Sequence, residues 1–337
     1  MARTLAAMEH TNLGRTGLVV SKICLGTMTF GLQCDEPTSR SILAAAADAG
    51  VTFLDAADVY PLGGGLETVG RTEEIVGRWM EGRRGDYVVA TKCVGAMGPH
   101  PWDQGMSRKH VLAAVEGSLR RLGTDYIDLY QLHFYDPTTP LDEALGALDQ
   151  VVRSGKARYV GVSNWPAYKV ALALGRSEVK GLVRIDSVQP RYNLLFRQIE
   201  RELLPLCAEA GIGVIPYNPI AGGLLTGKHD RGAPPPQGTR FTLGRAGAMY
   251  QDRYWHDREF DAVAGLGQMA DEAGMSLTTM AVAWVLANPA ITSAIVGASR
   301  PEQLRDTLAA VDAPLDASLK ARLDGMTAEW RRGDAAR

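Results

Sequence analysis

Eight times along this chain a short apolar, largely β-branched run stops at a polar residue or glycine, and seven of the eight lead directly into a helical pattern. The runs cover residues 24–26, 51–54, 87–91, 127–132, 159–162, 185–188, 213–216 and 293–296. They are continuous rather than alternating, the pattern of strands covered on both faces, which parallel strands joined by helical crossovers require. Helical patterns lie at 38–49, 72–81, 107–122, 141–154, 166–174, 199–210, 259–271, 276–287, 301–310 and 315–326. Their boundaries carry recognisable stops and starts: Thr72 and Ser107 stand in capping positions, and Gly50, Gly123, Gly155 and Gly211 follow helix ends. Eight strand–helix units predict a (β/α)₈ barrel. The alternative is a doubly wound open sheet, but the first strand leads into Leu25-Gly26-Thr27-Met28-Thr29-Phe30-Gly31, not into a GxGxxG turn.

Around this repeat the sequence predicts a hairpin over 12–23, turning at Gly14 to Gly17, loose tails at 1–10 and 329–337, and one domain over 11–328. The repeat breaks once: after Tyr217 about forty residues, including Gly222-Gly223 and Pro234-Pro235-Pro236, show little periodicity. Such a long loop inside a compact domain is functional or disordered.

Composition narrows the partners. Lys and Arg number 36 against 38 Asp and Glu, with no basic run, so nothing marks a surface for nucleic acid or anionic membrane, and a small-molecule partner is expected. Cys24, Cys34, Cys93 and Cys207 are scattered without metal-type spacing, which suits reduced thiols in a cytoplasm. No apolar run approaches the ~18 residues of a membrane span, and the first residues lack the apolar core of a secretory signal. Monomer and homo-oligomer both stay open.

In a barrel the C-terminal strand ends share one face, where the chemistry of such folds is kept. The second strand ends at Asp55, the third at Lys92 and the fourth at His133, with Tyr60 five residues beyond Asp55. Each has an ordinary structural use by itself; together they offer a carboxylate, an ammonium, an imidazole and a phenol at one rim. A single histidine with one or two carboxylates falls short of a zinc set, so no metal site is expected. A phenol titrates near ~10 and works poorly as an acid or base at neutral pH, and an ammonium beside it lowers that value. Lys92 is placed to supply that shift, Asp55 to hold Lys92, and His133 to donate to a carbonyl oxygen.

The quartet, set in LDAADVY, ATK and LYQLHF, resembles the catalytic tetrad of the aldo-keto reductases. The resemblance runs along nearly the whole chain: LGTMTFG after the first strand, Gly161-Val162-Ser163-Asn164 after the fifth, Gln189 after the sixth, and YNPIAGGLLTGK from Tyr217 to Lys228 after the seventh. The layout is similar to that of bacterial aryl-alcohol dehydrogenases and potassium-channel β-subunits. The resemblance implies hydride transfer from NADPH, in preference to NADH, to an aldehyde or ketone, with Tyr60 as general acid tuned by Lys92 and Asp55, and His133 orienting the carbonyl. Ser163, Asn164 and Gln189 would bind the carboxamide and Tyr217 would stack on the nicotinamide. Gly26, Thr27, Met28 and Asp55 would also contact the cofactor. So would Asn218, Pro219, Ala221, Gly222, Leu224, Gly227 and Lys228. The segment 222–258 resembles a loop that folds over the pyrophosphate, within reach of Arg240 or Lys228.

After the last strand, Gly297, Ser299 and Arg300 enter a helix start whose free N–H groups suit a phosphate, with Arg300 able to fork onto a 2′-phosphate. Gln303 and Asp306-Thr307 map onto adenine contacts, although asparagine is more usual where Thr307 stands. Met28, Tyr60, Trp102, Phe134 and Trp165 are candidates for the substrate pocket, with Tyr250, Tyr254 and Trp255 in rim loops. Gly63-Gly64-Gly65 is read as a mobile lid or a tolerant surface turn. Two other functions fit the same residues: a cofactor-binding regulatory subunit with little turnover, and oxidation of an alcohol, sugar or cyclitol.

Overall fold

A computed structural model describes residues 8–332. The chain opens with an antiparallel hairpin, β1 (His10–Asn12) and β2 (Val19–Ser21), and continues into eight parallel strands. These are β3 (Ile23–Gly26), β4 (Phe53–Asp55), β5 (Val88–Cys93), β6 (Ile127–Leu132), β7 (Ala157–Ser163), β8 (Ser187–Gln189), β9 (Gly213–Val214) and β10 (Ala294–Val296). From β3 to β9 they lie side by side in chain order, and β10 returns to pair with β3. Bridges Val214↔Ile291 and Tyr217↔Ile295 join the β9 edge to the β10 edge, with Ile295 N–H donating to Pro216 O at 2.9 Å. Eight parallel strands with intervening helices, in sequential order, are consistent with a (β/α)₈ barrel. The reversal of strand order that defines a doubly wound sheet does not occur.

Two apolar cores follow from the two sides of this sheet. Alternate residues point inward, so Cys24, Phe53, Ala90, Leu129, Ile215 and Ile295 form an inner cluster. The hairpin completes it: Leu13 and Val20 are fully buried in the same cluster, and Arg15 N–H donates to Gly211 O at 2.9 Å. A side chain at Gly14, whose φ is +55°, would strike Gly213 N at 2.4 Å, so this turn needs glycine to seat against β9. The outer core lies between sheet and helices, and its largest buried side chains include Trp284, Tyr130 and Tyr192.

Four expectations are corrected. The helix after Tyr60 is Arg71–Met80, starting at Gly70; Thr72 lies inside it, buried, with its hydroxyl donating to Phe30 O at 2.8 Å. The segment after Tyr217 holds an undetected helix, Gly244–Tyr254, whose buried Ala246, Tyr250 and Tyr254 recur at four-residue spacing. The C-terminal tail is partly built in: Ala328–Arg332 is a 3₁₀ turn, with Trp330 buried and its Nε1–H donating to Glu259 Oε1 at 3.2 Å. At the other end His10 pairs with Ser21 in the hairpin, while residues 1–7 and 333–337 lie outside the described residues.

Candidate active site

β4 and β5 set the centre of the site. Parallel pairing puts Asp55 at the end of β4 and Lys92 near the end of β5, both buried, with Lys92 Nζ 2.7 Å from Asp55 Oδ2 and 2.7 Å from Ala56 O. A buried ion pair is tolerable only where its remaining lone pairs and protons are used. Asp55 Oδ1 accordingly accepts from Gln189 Nε2 at 2.8 Å and from Gln131 Nε2 at 3.5 Å. The third ammonium proton is left toward Tyr60, whose ring centroid lies 5.0 Å from Lys92 Nζ. The loop carrying Tyr60 is tied to its neighbours: Ala56 N–H donates to Ala90 O, Asp58 N–H to Lys92 O, and Gly70 N–H to Tyr60 O.

His133 follows β6 and meets Tyr60 edge to face, with centroids 5.7 Å apart and planes at 80°. Burial first, and then repulsion from Lys92, hold its pKa down to about 3, so the imidazole is neutral across the physiological range. Its Nδ1 is buried with no hydrogen-bond partner among the described residues. The Tyr60 phenol departs from expectation. Burial raises its pKa and outweighs the lowering by Lys92, so the net shift is upward. Tyr60 is therefore protonated at neutral pH, and Lys92 limits a rise that burial alone would make larger.

A second group of candidates clusters beside this centre. Ser163 Oγ–H donates to Gln189 O at 2.8 Å. Asn164, at φ +57°, donates through Nδ2 to His133 O at 3.1 Å and accepts at Oδ1 from Tyr217 O–H at 2.8 Å. Asn218 accepts from Gly222 N–H at 2.6 Å and donates to Tyr254 O–H oxygen at 3.0 Å, fixing the turn in which Ala221, Gly222 and Gly227 all have positive φ. Arg240 leans on the Tyr250 ring at 5.6 Å, and its Nη1 is buried with no partner among the described residues. A buried guanidinium nitrogen lacking an acceptor suits an anion such as a pyrophosphate. Lys228, Gly297 and Arg300 are exposed, while Met28, Pro219 and Leu224 line the turns between. On this observation the residues present fit an anionic group such as a cofactor's pyrophosphate.

Other candidates are bonded or packed within the fold. Thr27 is buried and its hydroxyl donates to Asp55 O at 2.8 Å. Gln303 Oε1 accepts from Ser299 N–H at 2.8 Å and from Ser299 Oγ–H, so it caps the turn rather than facing outward. Thr307 is buried and bonded to Leu304 O within its own helix. Trp165 is buried edge-on against Tyr135 at 5.1 Å, and Tyr250 and Tyr254 pack into the aromatic cluster around Phe241 and Trp255. Of the proposed substrate aromatics, Phe134, 5.9 Å from the His133 ring, and Trp102, stacked on His100 at 4.8 Å, remain exposed. The loop at Gly63 meets Leu243, since a Cβ there would lie 2.8 Å from Leu243 Cγ; it packs against the 222–258 segment.

Two buried polar residues escaped the sequence reading. Gln131, inside LYQLHF, faces the centre, and its position two before His133 on one strand was the available signal. Asp58 is fully buried and both carboxyl oxygens lack partners among the described residues. No group of three or more His, Cys, Asp or Glu among the described residues is placed to hold a metal, and no described helix is long and apolar enough to cross a membrane.

The parallel strands thus bring a buried ammonium–carboxylate pair, a phenol and a neutral imidazole together at one end of the sheet. The sequence belongs to the Aldo/keto reductase family, whose family model matches residues 22–328. It is 40% identical over 325 residues to the uncharacterized oxidoreductase YrpG of Bacillus subtilis, covering 94% of this chain and 95% of that one. It is 39% identical over 310 residues to a protein of Arabidopsis thaliana named probable voltage-gated potassium channel subunit beta, with 90% and 92% covered. It is 33% identical over 315 residues to L-glyceraldehyde 3-phosphate reductase of Escherichia coli, with 90% and 88% covered. Oxidoreductase activity is the general function these similarities support.

Proposed function

We propose that this protein is an NADPH-dependent carbonyl reductase in which Tyr60 is the general acid. The observation that carries this reading is the buried Lys92–Asp55 pair directed at the Tyr60 ring, beside a neutral His133. When bound, the reduced nicotinamide supplies a hydride to the carbonyl carbon. As negative charge grows on the carbonyl oxygen, Tyr60 gives it the phenolic proton, and His133 donates a second hydrogen bond that holds the oxygen in place. Lys92 stabilises the phenolate left behind, and Asp55 keeps Lys92 charged inside the fold. Asn164 and Tyr217 would hold the nicotinamide end, Arg240 and Lys228 the pyrophosphate, and Ser299 and Arg300 the 2′-phosphate. Arg300, exposed just beyond β10, is the basis for preferring NADPH to NADH. Met28 and Phe134 flank the substrate.

Tyr60→Phe tests the reading. Carbonyl reduction should fall at least about a hundredfold, the scale of losing general-acid catalysis, while NADPH binding followed by intrinsic fluorescence stays unchanged. Unaltered turnover would remove Tyr60 from the role. NADPH binding by the wild-type protein without turnover on aldehydes, ring ketones and keto sugars would favour a regulatory subunit, in keeping with the name of the Arabidopsis relative. Faster turnover of alcohols or cyclitols with NADP⁺ would reverse the physiological direction.

A further inference from the structure

Gln131 stands beside the reacting groups without touching the path of the proton. It pairs in register with Lys92 on one side and Gly161 on the other, and its side chain is fully buried. Its Nε2 lies 3.5 Å from Asp55 Oδ1, the oxygen that Gln189 already holds at 2.8 Å, so two amides from opposite sides converge on one carboxylate oxygen while Oδ2 is left to Lys92. Amides suit this place because they donate without being able to take the ammonium's role or to titrate.

Gly161 packs between Gln131 and Ser187. Its φ is not in the left-handed region, so the backbone alone does not demand glycine. What demands it is space: a Cβ would sit 2.1 Å from Ser187 Oγ and 3.2 Å from Gln131 Cγ. Beside Gly161, Gln131 Oε1 and Ser187 Oγ are both buried with no partner among the described residues.

We propose that Gln131 is a positioning residue for the Asp55–Lys92 pair, packed against Gly161 of the neighbouring strand. The proposal rests on the reductase reading above. N–H groups aimed at Asp55 offset part of its negative charge as felt by Tyr60; without Gln131 more of that charge reaches the phenol and raises its pKa.

The test uses wild type, Tyr60→Phe, Gln131→Met and Gln131→Asn. Gln131→Met keeps length without a hydrogen bond; Gln131→Asn keeps the amide one methylene short. Both should lower kcat roughly five- to tenfold, the scale of one ordinary hydrogen bond, with KM and NADPH affinity within about twofold, well inside that scale. The basic limb of the kcat profile should move to higher pH. So should the Tyr60 phenol in the cofactor-free protein, read as the ultraviolet titration difference between each protein and its Tyr60→Phe counterpart. Wild-type kinetics and titration in either folded variant, or a fall in kcat with both titrations unmoved, overturn the proposal. If Gln131→Met fails to fold, Gln131→Asn decides. Retained activity in Tyr60→Phe would sink the reductase reading itself, a result distinct from any of these.

Discussion

Asp55, at the end of β4, and Asp58, in the loop that follows, lie three residues apart, are both buried, and have opposite surroundings. Asp55 faces the inside of the strand ring, where Lys92, Gln189 and Gln131 occupy its two oxygens. Asp58 turns to the outside of β5, toward the space between that strand and the helices Arg71–Met80 and Arg108–Leu122. There Thr91 Oγ1–H donates to Glu73 Oε1 at 2.6 Å and Arg121 Nε to Glu73 Oε2 at 2.7 Å. Arg121 is spent on Glu73, and both Asp58 oxygens go without a partner among the described residues. Burial, and then the Glu73 charge, push the Asp58 carboxyl well above the usual range and favour its neutral form, where Asp55 is half of an ion pair. Burial alone therefore does not set the state of a carboxylate; the counter-charge on its own side of the sheet does.

Removing each carboxylate's charge should give opposite results. Asp55→Asn leaves Lys92 buried without its counter-ion, and unfolding free energy should fall by about 3–5 kcal/mol, with carbonyl turnover lost; urea unfolding and a turnover assay measure both. Intact stability would break the contrast at its stronger end.

Asp58→Asn should instead stabilise. The folded pKa of Asp58 is raised above its unfolded value of about 3.9, so the wild-type fold binds more protons than the unfolded chain and loses stability as pH rises from there toward the folded value. The variant lacks that slope. It should match wild type below about pH 4 and exceed it increasingly above, by at most about 1.4 kcal/mol per pH unit, in thermal unfolding across pH. A variant less stable than wild type at pH 7 would mean that Asp58 is ionised and partnered.

The smallest effect is expected of Thr91→Val, which severs the outer hydroxyl from Glu73 while Lys92, the next residue, keeps its inner contacts. It should cost about 1 kcal/mol of stability and leave kcat within about twofold, a window much narrower than one lost hydrogen bond. A large fall in kcat would show that the two sides of β5 are coupled.

Much of this molecule was legible before its folding was known. Strands that end at or within a residue of Asp55, Lys92 and His133 announce themselves because an apolar run must stop where side chains meet water or chemistry, and the order of strands in the sheet follows the order in sequence. The helix Gly244–Tyr254 was obscured by glycine and polar residues between its three buried positions. Thr307 and Trp165 resembled ligand contacts by position and proved to be packed away, since burial depends on neighbours far along the chain.

By itself the sequence determined the alternation of strand and helix and the family, both properties of periodicity and local order. Only the tertiary structure decided which side of β5 each carboxylate meets, that burial outweighs Lys92 at Tyr60, and that Gln131 and Gln189 converge on one oxygen of Asp55. Those outcomes depend on distances between residues as many as 134 positions apart, as at Gln189 and Asp55, and no local pattern encodes them.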